Sequence, residues 1–165
     1  MHPSALFVSS GIFRRLPSAR VAIGACVAAV ALIGSAAAAP SPTSRACPSA
    51  AVVNAALGQH GGTPVVTKTA YSKTCTYPGS AIGSTKITFQ VDTAASFAAG
   101  EKSAGSFGAK ITKVKGLGKA AWTTGSGDIY VFDGHEKIEI LALALGVRSP
   151  STATAKVEAL ARKLL

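Results

Sequence analysis

Apolar and polar residues alternate most regularly over residues 84–93 (STKITFQVDT). There Ile87, Phe89 and Val91 fall on one side, and Lys86, Thr88, Gln90 and Asp92 on the other. A period of two marks a strand with one wet face. Upstream, VVTKTAY (65–71) and KTCTYPG (73–79) are rich in β-branched and aromatic residues and predict two more strands. Downstream, DIYVF (128–132) and KIEILALAL (137–145) predict a hairpin turning at Asp133-Gly134, because Gly134 accepts the positive φ that a tight turn needs. Residues 120–124 predict a strand start, and 109–114 a shorter strand.

Three stretches have helical rather than strand spacing. Residues 47–58 (CPSAAVVNAALG) place Val52, Val53, Ala56 and Leu57 on one stripe, with Pro48 at the first helical position and Gly58 as the stop. Residues 94–108 are alanine-rich but broken by Gly100, Gly105 and Gly108, and predict an imperfect helix over about 94–104 with Phe97 facing inward. Residues 152–165 gather Val157, Leu160, Ala161 and Leu164 on one face, with Lys156, Arg162 and Lys163 off it and Thr152 as the cap. Strands that follow one another favour antiparallel pairing. The expectation is an α+β fold: an antiparallel sheet of five to seven strands, with an N-terminal, a central and a C-terminal helix packed on one face. Each half reads as a helix followed by strands, although no residue-level repeat accompanies that plan.

The N-terminus has a different grammar. Arg14, Arg15 and Arg20 precede the apolar run 21–33 (VAIGACVAAVALI), and small residues follow in GSAAAAP. This is the pattern of a secretory signal peptide, expected over residues 1–38 with cleavage after Ala38. The run falls short of the roughly 20 residues of a membrane-spanning helix. IGAC at 23–26 has the look of a lipobox, but the apolar core continues past Cys26. The two membrane routes are therefore an uncleaved signal or lipidation at Cys26, and both rank behind cleavage. A disordered leader is expected at 39–46 and a single exported domain at 47–165.

Charge and cysteine content follow from that boundary. The chain carries 17 basic and 7 acidic residues, a net of +10. Removing the three leader arginines leaves 14 against 7, or +7. Such a field favours weak association with anionic surfaces, so the expected partner is a protein or an anionic envelope component. Two cysteines remain, Cys47 and Cys75. In an exported chain an even count implies a disulfide, and two cysteines allow one pairing.

The segment VKGLGKAAW (114–122) invites a phosphate-loop reading and fails it. A P-loop needs Ser or Thr after the Gly-Lys pair, and Ala120 stands there. Gly116 and Gly118 are read, like Gly134, as turn glycines. Lys110, Lys113, Lys115 and Lys119 form a candidate patch for an anionic partner. Trp122 alone interleaves with them, too little aromatic surface for specific nucleic-acid binding. His60 and His135 lack a nucleophile elbow nearby. Alternation puts Glu136 and Glu139 on opposite faces, which disfavours a metal site, and Asp92, Glu101 and Asp128 form no acid–base pair. No cofactor is expected. Tyr71, Tyr77, Trp122, Tyr130 and Phe132 sit in or beside strands, where they pack or line a groove for an apolar or peptide ligand.

A cysteine-bearing N-terminal helix, C-T-Y at 75–77, V-x-G-L-G-x-A-A at 114–121, and a closing strand pair before a C-terminal helix together resemble a family of small exported proteins and lipoproteins of actinobacteria, of unknown function. The resemblance spans nearly the whole of residues 47–165. It departs at Lys119, where the family carries an acid, and at the lipobox. It implies an α+β sandwich of PsbP-like type and supplies no catalytic residues. The expected role is that of a secreted or envelope-associated, non-catalytic binding or accessory protein. Inhibition of an extracellular enzyme is the alternative, and a small extracellular hydrolase the third possibility.

Overall fold

The computed structural model describes residues 43, 45–79, 83–142 and 150–165. The expected signal peptide, its cleavage after Ala38 and Cys26 lie outside the described residues. So do residues 143–145 of the last predicted strand.

The chain is α+β, with seven antiparallel strands and three helices among the described residues. In order these are α1 (Ala50–Leu57), β1 (Val65–Lys68), β2 (Ser72–Tyr77), β3 (Thr85–Val91), α2 (Ala94–Ser106), β4 (Thr112–Lys113), β5 (Ala120–Thr123), β6 (Asp128–Phe132), β7 (Glu136–Ala142) and α3 (Pro150–Leu164). The sheet runs β1-β2-β3-β7-β6-β5-β4. It consists of two meanders joined at one seam, where β3 pairs with β7 from Thr85↔Ala142 to Val91↔Glu136.

The register divides the side chains between two faces. On the first, Cys75, Ile87, Ile140 and Ile129 lie in one cross-strand row, and Phe89, Ile138, Val131 and Ala121 in the next. Val53 and Leu57 of α1 cover this face with Val157, Leu160 and Ala161 of α3, and together they form the main core. On the second face, Phe97 of α2 packs against Trp122 and Phe132. Trp122 and Phe132 alternate with Ala121 and Val131, so α2 lies across the sheet from α1 and α3. The expectation of all helices on one face is therefore corrected. Composition assigned α2 a buried residue, Phe97, but could not assign it a side of the sheet.

Local starts and stops also differ from the sequence expectation. Ser49, not Pro48, opens α1, its hydroxyl accepting from the Val52 N–H at 3.3 Å. The Pro48 carbonyl instead accepts the Tyr77 hydroxyl at 2.6 Å. Gly58 does end α1, in the left-handed conformation at φ 67°. Lys156 reaches across from α3 to donate to the Leu57 carbonyl at 2.9 Å, placing a cation at the negative end of α1. Helix α3 starts at Pro150, so Thr152 is inside it rather than its cap.

The Cys47–Cys75 disulfide is formed, with Cα atoms 5.9 Å apart. It ties the approach to α1 onto β2. Arg45, within the expected leader, bonds to the domain. Arg45 donates to Glu136 Oε2 at 2.9 Å, to Asp133 Oδ2 at 2.5 Å and to the Leu164 carbonyl at 2.6 Å. Its own carbonyl accepts from Lys73. Arg45 thus fastens the β6–β7 turn, the end of α3 and β2 to one another.

Candidate functional site

The second sheet face carries the strongest candidate. Because the β6–β7 hairpin turns at Asp133-Gly134, Tyr130 falls opposite Glu139 and Phe132 opposite Lys137. Pairing of β5 with β6 puts Trp122 beside Tyr130. Their rings stack with centroids 3.9 Å apart and planes 16° apart. Phe97 descends from α2 to lie 6.3 Å from the Trp122 ring and 5.7 Å from that of Phe132.

Between α2 and this aromatic floor runs a groove of about 380 Å³. Ser96, Gly100, Ser103 and Phe107 line it from the helix side, recurring at the spacing of a single helix face. Gln90 and Lys137, directly opposed in the β3–β7 ladder, line it from the sheet, and Asp92 lines its end. Phe107 is 89% exposed, a large apolar side chain left in water at the end of α2.

Two groups in the groove wall have unusual states. Trp122 is 4% exposed, and its Nε1–H has no hydrogen-bond partner. A buried donor left unpaired costs about 1–3 kcal/mol. The second is Tyr130. Burial, reinforced by the carboxylates of Glu139 and Asp128, pushes its hydroxyl up to about 12. The phenol therefore keeps its proton, and its capacity to donate, at any physiological pH. Lys137 is 3.6 Å from Glu139, so part of its charge is already answered.

A second hollow of about 420 Å³ lies beside the β5–β6 turn and the start of α3. Its side chains already serve the fold. Asp128 accepts from the Thr124 hydroxyl at 2.7 Å and from the Thr124 N–H at 3.0 Å. Arg162 pairs with Glu158 at 2.7 Å.

The four lysines singled out in the sequence are exposed but stand in different settings. Lys110 edges the second hollow. Lys113 is 2.5 Å from Glu101 of α2. Lys115 lends its carbonyl to Arg162. The stem of Lys119 lies against the β6–β7 turn at Gly134. None of them lines the aromatic groove, where the cation is Lys137. Gly116, Gly118 and Gly134 all have positive φ, and at Gly118 an added β-carbon would lie 2.6 Å from the Phe132 carbonyl oxygen. Between the first two, Leu117 is buried and plugs the main core, a role its glycine-rich surroundings did not signal. His60 and His135 are both exposed. Among the described residues no group of three or more His, Cys, Asp or Glu is arranged to hold a metal ion. No helix among them is long and apolar enough to cross a membrane.

Of the groove candidates named from sequence, Trp122 and Tyr130 line the groove, whereas Phe132 packs against Phe97 beside it, Tyr77 is buried in the main core and Tyr71 is exposed next to β1. Sequence reasoning missed Gln90, Lys137, Ser96 and Ser103. The signal for Lys137 was present, because an Asp133-Gly134 turn fixes the hairpin register that seats it beside Phe132. Comparison with protein-family models, with curated proteins and with solved structures finds no match in any of the three.

Proposed function

We propose that this protein is an exported, non-catalytic binding domain of the cell envelope or its surroundings. Its ligand is a small, largely apolar molecule held between α2 and the sheet. The observation that carries this reading is the Trp122 N–H, buried and unpartnered in the wall of an aromatic groove. Binding sites commonly combine an apolar lining with a few placed polar groups, and Gln90, Tyr130 and Lys137 supply these. Export is supported by the signal-like N-terminus and by the Cys47–Cys75 disulfide, a bond typical of oxidising compartments. Kinship with the actinobacterial exported family, and a PsbP-like arrangement within it, belong to the same proposal. An antiparallel sheet with helices on both faces supports the latter.

The test uses N-phenyl-1-naphthylamine, an uncharged dye that fluoresces in apolar sites. Residues 39–165 should bind it saturably, and Gly100→Leu should abolish binding. Gly100 lines the groove and a β-carbon there meets no heavy atom within 4 Å, so a larger side chain at this position starts without a backbone clash. Leucine also raises helix propensity by roughly 0.8 kcal/mol. Unchanged dye binding in a folded Gly100→Leu variant would refute the groove reading. Intact mass of the exported species tests the cleavage point and the state of Cys26.

The alternative, inhibition of an extracellular enzyme, is favoured by one observation. Edge strand β1 is exposed along its length, with Val65 at 66% and neighbouring Tyr71 at 53%. An open edge can accept an extended segment of another protein. Stoichiometric inhibition of an enzyme from culture filtrate, lost on Val66→Pro, is the result that would favour it.

A further inference from the structure

The groove's charge and hydrogen-bond inventory narrows what it takes, given the groove reading above. The domain is strongly basic, but the groove is not. Asp92 lines one end, and Glu139 stands opposite Tyr130. The one lysine lining it, Lys137, is 3.6 Å from Glu139. The lining residues thus carry one carboxylate and one ammonium, and Glu139 already engages that ammonium, so an anionic ligand finds no free cation there.

A cation is not singled out either, because the one lining carboxylate, Asp92, is balanced by the one lining ammonium, Lys137. Among the lining residues Trp122, Tyr130 and Lys137 carry hydrogen-bond donors, Gln90 carries a donor and an acceptor, and Asp92 only accepts. Of the donors, the indole N–H is buried without a partner. What it lacks is an acceptor, and an acceptor reaching it removes a cost the fold otherwise carries. The space of about 380 Å³ lies between the Trp122–Tyr130 ring pair and Ser96, Gly100 and Ser103 of α2, where an aromatic ligand can pack against the rings.

We infer that the groove binds an uncharged, flat, apolar compound carrying a carbonyl or ether oxygen, and that this oxygen accepts the Trp122 N–H. The N–H is buried, so an acceptor reaches it only if α2 shifts against the sheet. The helix is suited to this. Phe97 is its one buried residue, and two interior glycines, Gly100 and Gly105, weaken it.

Three naphthalenes of like size test the inference by competition with N-phenyl-1-naphthylamine: 2-acetylnaphthalene, 2-ethylnaphthalene and 2-naphthoate. The expected order is the ketone about tenfold tighter than the hydrocarbon, with the carboxylate weakest. Trp122→Phe should erase the preference of ketone over hydrocarbon while retaining hydrocarbon binding. A second readout does not depend on that variant folding. Trp122 is the only tryptophan, so the ¹⁵N-labelled protein has a single indole N–H resonance. It should move downfield with the ketone and not with the hydrocarbon. Equal affinity of ketone and hydrocarbon, or an unmoved indole resonance, overturns the hydrogen-bond assignment. Tighter binding of the carboxylate overturns the charge assignment. In either case the groove reading survives if Gly100→Leu still blocks the hydrocarbon. If none of the three displaces the dye, the ligand class is wrong; if the dye itself fails to bind, the groove reading falls with it.

Discussion

Arg45 shows how much one side chain can organise. Its guanidinium meets Glu136, which is 5% exposed, together with Asp133 and the Leu164 carbonyl at the end of α3. Removing it strands a buried carboxylate. Arg45→Ala should therefore cost roughly 2–3 kcal/mol in urea unfolding, less than a fully buried pair because Arg45 is partly solvated. Asp133 belongs to the same cluster. Burial alone would raise its carboxyl, but the N–H groups of Glu136 and His135, with Arg45, outweigh that and hold it below the ordinary value. A depressed folded value means stabilisation that is present above the unfolded carboxylate value near 4 and is lost as pH falls through the folded one. Asp133→Asn should accordingly lower stability at neutral pH and flatten the acid limb of the stability curve. The tyrosines act at the other end. Burial pushes Tyr77 up to about 12, and Tyr130 is raised to the same region. Their stabilisation is intact below the unfolded value near 10 and declines as pH rises from there through the folded one. Thermal melts should show Tm falling above about pH 10, and less steeply in Tyr77→Phe.

At the scale of elements, the turn between β4 and β5 separates two glycines that look alike in sequence. Both have positive φ, but a β-carbon at Gly116 meets open space, whereas at Gly118 it lies 2.6 Å from the Phe132 carbonyl oxygen and 2.9 Å from Val131. Gly116→Ala should cost about 1–2 kcal/mol for the left-handed backbone alone. Gly118→Ala should cost more than that, because the β5–β6 contact must also open. Equal values would show that the turn yields in both cases. Elements whose pattern is carried by their own residues were readable in advance: the alternation of β3, the hairpin through Asp133-Gly134, and the apolar stripe of α3. What could not be read depends on partners distant in the chain. Phe97 announces that α2 buries something, but the ring it meets, Trp122, is 25 positions away and on a face that β5 alone decides. Arg45 sits among residues of leader composition, and its partners are some 90 positions downstream. The groove shares this origin. Its aromatic residues were visible, and its helix side was not, since serine and glycine carry no sign of what they face.

For the whole molecule, the disulfide joins positions 28 apart. By loop-closure entropy its removal should cost about 3–4 kcal/mol, read as a drop in the urea midpoint when Cys47 and Cys75 are both replaced by alanine. The sheet's two open ends differ in kind. β4 is two residues long, too short to template much, whereas β1 offers four exposed positions with two valines. Such an edge invites pairing between molecules.

The single seam between the meanders also governs the order in which the chain can assemble. Pairings within β1-β2-β3 and within β4 to β7 join neighbours in sequence and close quickly. The β3–β7 ladder joins segments roughly fifty residues apart, and it forms only after that longer loop is closed. Folding speed is then set at the seam. Trimming Ile87 or Ile140, which face each other across it, should slow folding, while trimming Val53 of α1 should mainly hasten unfolding.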